Sequence, residues 1–324
     1  MTGIKLTDGV IVDPQRGEAY VMSPDGGIVS IGLDRGQEVW RSNKAAKPLL
    51  LSDDFLLGQV ETAGPGHVLR IASLRTREQG ALASESSVSL PPGVDPLIEQ
   101  RASRAFVVTA QPLDGDAAVS WEYVERTLTG LPPGQAEVLP GEQSPQFSAH
   151  AIPGAFESAA RDLGIVHRGA VRVSPRDGAV TPMMEPHAAP VPGAVASAVF
   201  APSTDVIRET HVANIPEPQF ASADGRHILS SKRVADDPEW SRYLWRVFEA
   251  ATQKEIGEFF YHSAFAPFTV AGDRIIVMSQ PYQLRISNEL VDQPLQIRSI
   301  DLKTGALIWQ RPVRDTAEIG PPPP

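Results

Sequence analysis

The stretch Ile31-Gly32-Leu33-Asp34-Arg35-Gly36-Gln37-Glu38-Val39-Trp40 recurs, position for position in residue type, as Ile300-Asp301-Leu302-Lys303-Thr304-Gly305-Ala306-Leu307-Ile308-Trp309, at the other end of a chain of 324 residues. Each copy reads as a strand of alternating side chains, a tight turn closed by a glycine that can take positive φ, and a second strand ending on tryptophan. A two-strand unit that opens and closes a chain is the signature of a repeat.

Weaker copies lie between the two. Ala72-Ser73-Leu74-Arg75-Thr76-Arg77-Glu78-Gln79 has Arg77 in the glycine's place, and Val173-Ser174-Pro175-Arg176-Asp177-Gly178-Ala179-Val180 keeps Gly178. Phe248-Glu249-Ala250-Ala251-Thr252-Gln253-Lys254-Glu255-Ile256-Gly257 substitutes Gln253. In the gap after the second copy, Ala118-Val119-Ser120-Trp121-Glu122-Tyr123-Val124 alternates well enough to supply a missing strand. That makes six units.

Two further strand signals precede each well-defined unit. In the first they are Gly9-Val10-Ile11-Val12 and Glu18-Ala19-Tyr20-Val21-Met22; in the last, Ala266-Pro267-Phe268-Thr269-Val270 and Arg274-Ile275-Ile276-Val277-Met278. Four strands per unit, here lettered a to d, predict an all-β chain: a β-propeller of four-stranded antiparallel blades. The step from the fourth unit to the fifth, about 75 residues, is too long for one blade and too short for two. It is read as one blade plus an insertion at about 186–215, giving six blades, with seven as the alternative. The propeller is expected to be one domain over 1–313, followed by a Pro-rich tail over 314–324.

The turn Asp301-Leu302-Lys303-Thr304-Gly305 followed by Trp309, and the looser Leu33-Asp34-Arg35-Gly36 with Trp40, resemble the pyrroloquinoline-quinone-like β-propeller repeat family. The resemblance is carried by the two ends of the chain. It implies a ring of blades around a channel, with the tryptophans packed between blades. Many relatives are non-catalytic scaffolds, and some bind the quinone and oxidise alcohols or sugars. Quinone binding would require a ring-stacking tryptophan, an arginine, a calcium site and often a disulfide of adjacent cysteines. The chain has no cysteine, which removes the disulfide, and no aspartate–asparagine calcium cluster stands out. No cofactor is expected.

Composition narrows the function classes. The 30 prolines and 26 glycines are scattered, as turns between many short strands require. A net charge of −10 with no basic stripe argues against nucleic acid as a partner. No apolar run is long enough to insert in a membrane. Met1–Asp8 holds no apolar core of signal-peptide length, so the chain as written is expected in the cytoplasm, or in the periplasm if a signal peptide has been removed.

A propeller sorts its connections by face: b–c and d–a links leave from one side, a–b and c–d turns from the other. The long segments here, Met184–Pro216, Val234–Arg242 and Gln280–Pro294, all belong to the first kind. Loops are where recognition residues are free of the packing that fixes strands. The candidate surface contains Asp236, Asp237, Glu239, Trp240 and Arg242 in one loop, and Tyr282, Arg285, Asn288, Glu289 and Asp292 in another. Aromatic, arginine and acidic residues together suit a protein or peptide partner. The leading expectation is a non-enzymatic scaffold.

The enzyme alternative is a hydrolase or lyase whose central channel is lined by histidines holding a divalent metal. His150 and His262, near the starts of strand a in two blades, are its candidate ligands. None of the seven histidines has a local metal-ligand spacing. Asp53-Asp54 and Asp236-Asp237 are read as turn residues, because neighbours on a strand point to opposite faces.

Overall fold

A computed structural model describes residues 3–62, 67–98, 104–126, 164–191, 209–236, 241–286, 289–316 and 319. Strands dominate, and they form antiparallel meanders of consecutive segments. The first sheet holds β1 (Ile4–Thr7), β2 (Val10–Asp13), β3 (Glu18–Met22), β4 (Ile28–Gly32) and β5 (Glu38–Ser42). The second holds β6 (Lys47–Ser52), β7 (Phe55–Gln59), β8 (Val68–Arg75) and β9 (Ala81–Ser89). The third holds β10 (Arg104–Leu113), β11 (Asp116–Arg126), β12 (Gly164–Val173) and β13 (Val180–Val191). The fourth holds β14 (Gln219–Ala221), β15 (His227–Asp236), β16 (Ser241–Glu249) and β17 (Glu255–Tyr261). The fifth holds β18 (Phe268–Ala271), β19 (Arg274–Ser279), β22 (Gln296–Asp301) and β23 (Leu307–Pro312), with the hairpin β20 (Tyr282–Ile286) and β21 (Glu289–Gln293) inserted between b and c.

The repeated turn has a local cause. Asp301 Oδ1 accepts from the backbone N–H groups of Lys303 and Thr304 and from Thr304 Oγ1, which folds the chain back on itself. Gly305 then takes φ 69° and donates to the Asp301 carbonyl at 2.9 Å. In the first copy Gly32 stands where Asp301 does, and Gly36 closes the turn at φ 68° by donating to the Gly32 carbonyl at 2.8 Å.

These turns also join the sheets. A Cβ on Gly36 would lie 2.6 Å from Trp309 Cγ, and one on Gly80 would lie 2.5 Å from Trp40 Cε3. Gly305 abuts Phe259 on β17, and Gly178 abuts the Glu85 carbonyl on β9. Ser84 and Ser86 Oγ add hydrogen bonds of 3.0 Å to the carbonyls of Pro175 and Gly178. In each case the c–d turn of one sheet rests on strand d of the sheet before it. The fourth sheet has Gln253 at this position, with φ 58°.

Apolar side chains fill the spaces between sheets. Ile11, Tyr20 and Trp40 pack with Leu51, Leu56 and Leu74 between the first and second sheets. Leu57 and Ile71 meet Val119 and Trp121 between the second and third. Trp245 and Phe259 meet Phe268 and Ile300 between the fourth and fifth. Val12, Val21 and Ile31 meet Ile276, Ile297 and Trp309, so the last sheet packs on the first. The described contacts thus link the sheets in the order fourth, fifth, first, second, third. Each sheet is built from one continuous stretch of chain, and first and last meet by packing rather than by a shared strand.

Two expectations are corrected. Ala118–Val124 and Val173–Val180, read as separate units, belong to one sheet, since Val119 pairs with Val171 and Ala117 with Val173; the described residues form five sheets of four or five strands. Residues 127–163, between β11 and β12, lengthen the spacing there. The second correction is β1, which no repeat predicts. It pairs with β2, contacts β18 and β19, and just before it Gly3 donates to the Leu51 carbonyl at 3.1 Å. This strand therefore runs along the first-strand edges of three sheets. Beyond 313, Arg314 N–H donates to the Met22 carbonyl at 3.1 Å and Ile319 is buried.

Candidate functional site

In an antiparallel meander, alternate connections leave from opposite ends. The a–b turns (14–17, 53–54, 114–115, 222–226, 272–273) and c–d turns (33–37, 76–80, 174–179, 250–254, 302–306) are all short. The long connections are 60–67, 127–163 and 280–295 between b and c, and 90–103 and 192–218 between d and a. All of them leave from the other end, which also receives the 237–240 link of the fourth sheet.

At that end, between the fourth and fifth sheets, side chains from four segments converge. Tyr261 closes β17 and His262 begins the d–a link; Ser279 ends β19, Tyr282 starts β20, and Gln296 and Arg298 open β22. The His262 ring lies between two tyrosines, 4.2 Å from Tyr261 and 4.7 Å from Tyr282 between centroids, the latter pair stacked at 26°. Trp245 supports Tyr261 from behind at 4.4 Å and donates Nε1–H to the Ser263 carbonyl at 2.7 Å. Alternation places these residues together: Trp245 and Tyr261 point toward the fifth sheet, and their neighbours Leu244 and Phe260 point away.

Arg298 lies beneath Tyr282. Its guanidinium carbon is 5.3 Å from the ring centroid and its Nη2 donates to Tyr282 Oη at 2.7 Å. Nε and Nη2 also donate to Gln296 Oε1, at 3.1 and 3.0 Å. Burial, with Arg298 adding to it, pushes the His262 pKa down to about 4. The imidazole is therefore neutral at pH 7, and Arg298 supplies the positive charge of this cluster.

Of the sequence candidates, the structure brings Tyr282 and His262 into contact. Arg242 is placed elsewhere: its guanidinium covers the exposed Phe260 ring at 3.9 Å, on the opposite face of the fourth sheet. Asp236 pairs with Ser241 at the end of β15, and Arg285 and Glu289 lie on β20 and β21. Asp292 pairs with Gln283 in the same hairpin. The side chains of Asp236, Arg285 and Glu289 lie outside the described residues, as do Asp237, Glu239, Trp240, Asn288 and His150 entirely. No group of three His, Asp or Glu side chains among the described residues is placed to hold a metal ion. His262 has a cation beside it, which disfavours a second cation as its ligand partner. His211 is exposed and meets Glu217 at 2.6 Å.

Gln296 and Arg298 were missed by motif reading. The available signal was strand parity: they alternate with Ile297 and share the face of Ile300, a core residue.

No helix among the described residues is long and apolar enough to cross a membrane. No family model matches the chain, and no curated protein does. Solved structures similar to it include the β-propeller domain of Cps50 (Swd1) from Myceliophteria thermophila, at 11% identity and TM-score 0.26, covering 95% of this chain and 87% of that one. Sqt1 from Saccharomyces cerevisiae is similar at 7% identity and TM-score 0.22, covering 94% and 72%. The quinohemoprotein alcohol dehydrogenase ADHIIG from Pseudomonas putida HK5 is similar at 11% identity and TM-score 0.23; 91% of this chain is covered, and it spans 57% of the dehydrogenase chain.

Proposed function

We propose that this chain is a non-enzymatic β-propeller scaffold, one domain over 1–313, that presents its b–c and d–a end to a protein or peptide partner. One observation carries the reading: the long connections leave from a single end, and there the partly exposed His262–Tyr282 stack rests on Arg298. Tyrosine and arginine are the residues most able to anchor a partner, because each combines a large contact area with a directed polar group. The turns at the other end are short and closed by their own hydrogen bonds, leaving little reach for recognition.

The enzyme alternative requires an open, histidine-lined channel. The strand β1 along the first-strand edges of the sheets and the arginine beside His262 both weigh against it. The deciding experiment is partner recovery by pull-down with residues 283–292 replaced by a short turn, against a control in which the 302–306 turn is altered. Loss with the first and retention with the second is expected. Equal recovery with both would remove the reason for choosing this end.

A further inference from the structure

Arg298 is only 7% exposed, yet among the described residues no carboxylate lies within ion-pair reach of it. Buried charges are ordinarily paired with opposite charge, because desolvating an ion is expensive. Its partners here are neutral: Gln296 Oε1, and Tyr282 Oη, which accepts the Nη2 hydrogen bond.

The other polar capacity nearby is also donating. Tyr282 accepts through its oxygen and keeps its O–H hydrogen to give. Tyr261 Oη is buried beside Arg298 and Ser279, near enough to interact with both but without a well-aligned hydrogen bond to either. Ser279 Oγ makes long contacts, 3.4 Å to His262 Nε2 and 3.5 Å to the Gln280 carbonyl, and lies beside Tyr261. Among the described residues the cluster therefore offers one positive charge and several donors, with no carboxylate paired to Arg298.

We infer that Arg298, with Tyr282 and Tyr261, receives a carboxylate group of the partner peptide, while the His262–Tyr282 stack carries an adjacent apolar side chain. A single arginine matches the single charge and planar fork of a carboxylate. Phosphorylated ligands are ordinarily met by several clustered cations, and among the described residues no second one stands in this group. The inference rests on the reading of this end as the partner surface.

The test is an array of random dodecapeptides, half with free and half with amidated C-termini, probed with the full chain. Binders should carry an aspartate, a glutamate or a free C-terminus. Replacing that side chain by its amide, or amidating that terminus, should weaken binding about tenfold or more. The two replacements separate a side-chain carboxylate from a terminal one. In Arg298→Gln the same replacements should cost less than about twofold. Tyr282→Phe, which keeps the ring and removes the O–H, should reduce the acid preference without abolishing binding.

If Arg298→Gln fails to fold, the acid-to-amide comparison on the unaltered chain and on Tyr282→Phe still decides. Binders with no acid preference, or a preference untouched by both variants, would overturn the inference. Peptides that bind, lose binding when 283–292 is replaced, and show no acid preference would leave the surface reading standing and this inference refuted. No peptide binding, or binding indifferent to 283–292, would contradict both.

Discussion

Trp309 lies where a side chain on Gly36 would have to go, and its indole Nε1–H donates to the Leu33 carbonyl three residues before that glycine, at 2.9 Å. Arg274 Nη1 donates to the same carbonyl at 2.7 Å, and Arg311 Nε donates to the Gly36 carbonyl at 2.6 Å. The two copies of the repeat thus touch, and the turn of one seats on the tryptophan of the other. Gly36→Ala meets two obstacles, a positive φ and an indole in the space its Cβ needs. It should destabilise the fold by about 1–3 kcal/mol, read from chemical denaturation. An unchanged midpoint would separate Gly36 from the junction.

The two tryptophans should respond differently to loss of the indole N–H. Trp309 uses it, whereas Trp40 Nε1 is buried with no partner. Trp309→Phe removes a hydrogen bond as well as volume, while Trp40→Phe removes an unpaired donor. Trp309→Phe is expected to cost about 1 kcal/mol more than Trp40→Phe in denaturation. Equal costs would mean that packing alone sets both.

His262 gives a pH signature. Its folded pKa, near 4, is below the ordinary 6.5, so the unfolded chain takes up a proton first as pH falls. Its stabilising contribution is complete above pH 6.5 and is lost as pH falls toward 4. An NMR titration should place its imidazole midpoint near 4. His262→Phe should lose less stability than the unaltered chain between pH 6.5 and pH 4. A midpoint near 6.5 would contradict the burial and the nearness of Arg298.

Next to β1, Lys47 is 6% exposed and its Nζ lies 3.6 Å from Asp8 Oδ2, with Lys5 bonded to the same carboxylate. Burial alone would raise the Asp8 pKa, but the two lysines outweigh it and hold the group below its usual value. Burial in turn lowers the pKa of Lys47. Asp8→Asn strands a buried ammonium and should cost about 3–5 kcal/mol; adding Lys47→Met should recover most of that. Denaturation midpoints of the single and double variants check both statements, and a mild single variant would contradict the pairing.

The end units were legible because their turns carry their own chemistry. Asp301 with Thr304 and Gly305 writes its hydrogen bonds into the sequence, and β2 to β5 and the strands β18, β19, β22 and β23 follow from it. The third sheet was misread because residues 127–163 separate b from c by about the length of a blade, so spacing alone made two units of one. β1 was missed because four residues carry too little periodicity to announce a strand. At the candidate site the end of the sheets was legible from connection lengths. The burial of Arg298 was not, since it depends on the neighbouring sheet that brings Tyr261 and His262 over β22.

The most direct measurement of the central claim is site-specific photocrosslinking of the full chain to its partner, with a benzoylphenylalanine at Tyr282 at one end of the sheets or at Lys303 at the other. The account predicts crosslinks from position 282 and none from 303. Crosslinks from 303 with none from 282 would contradict it.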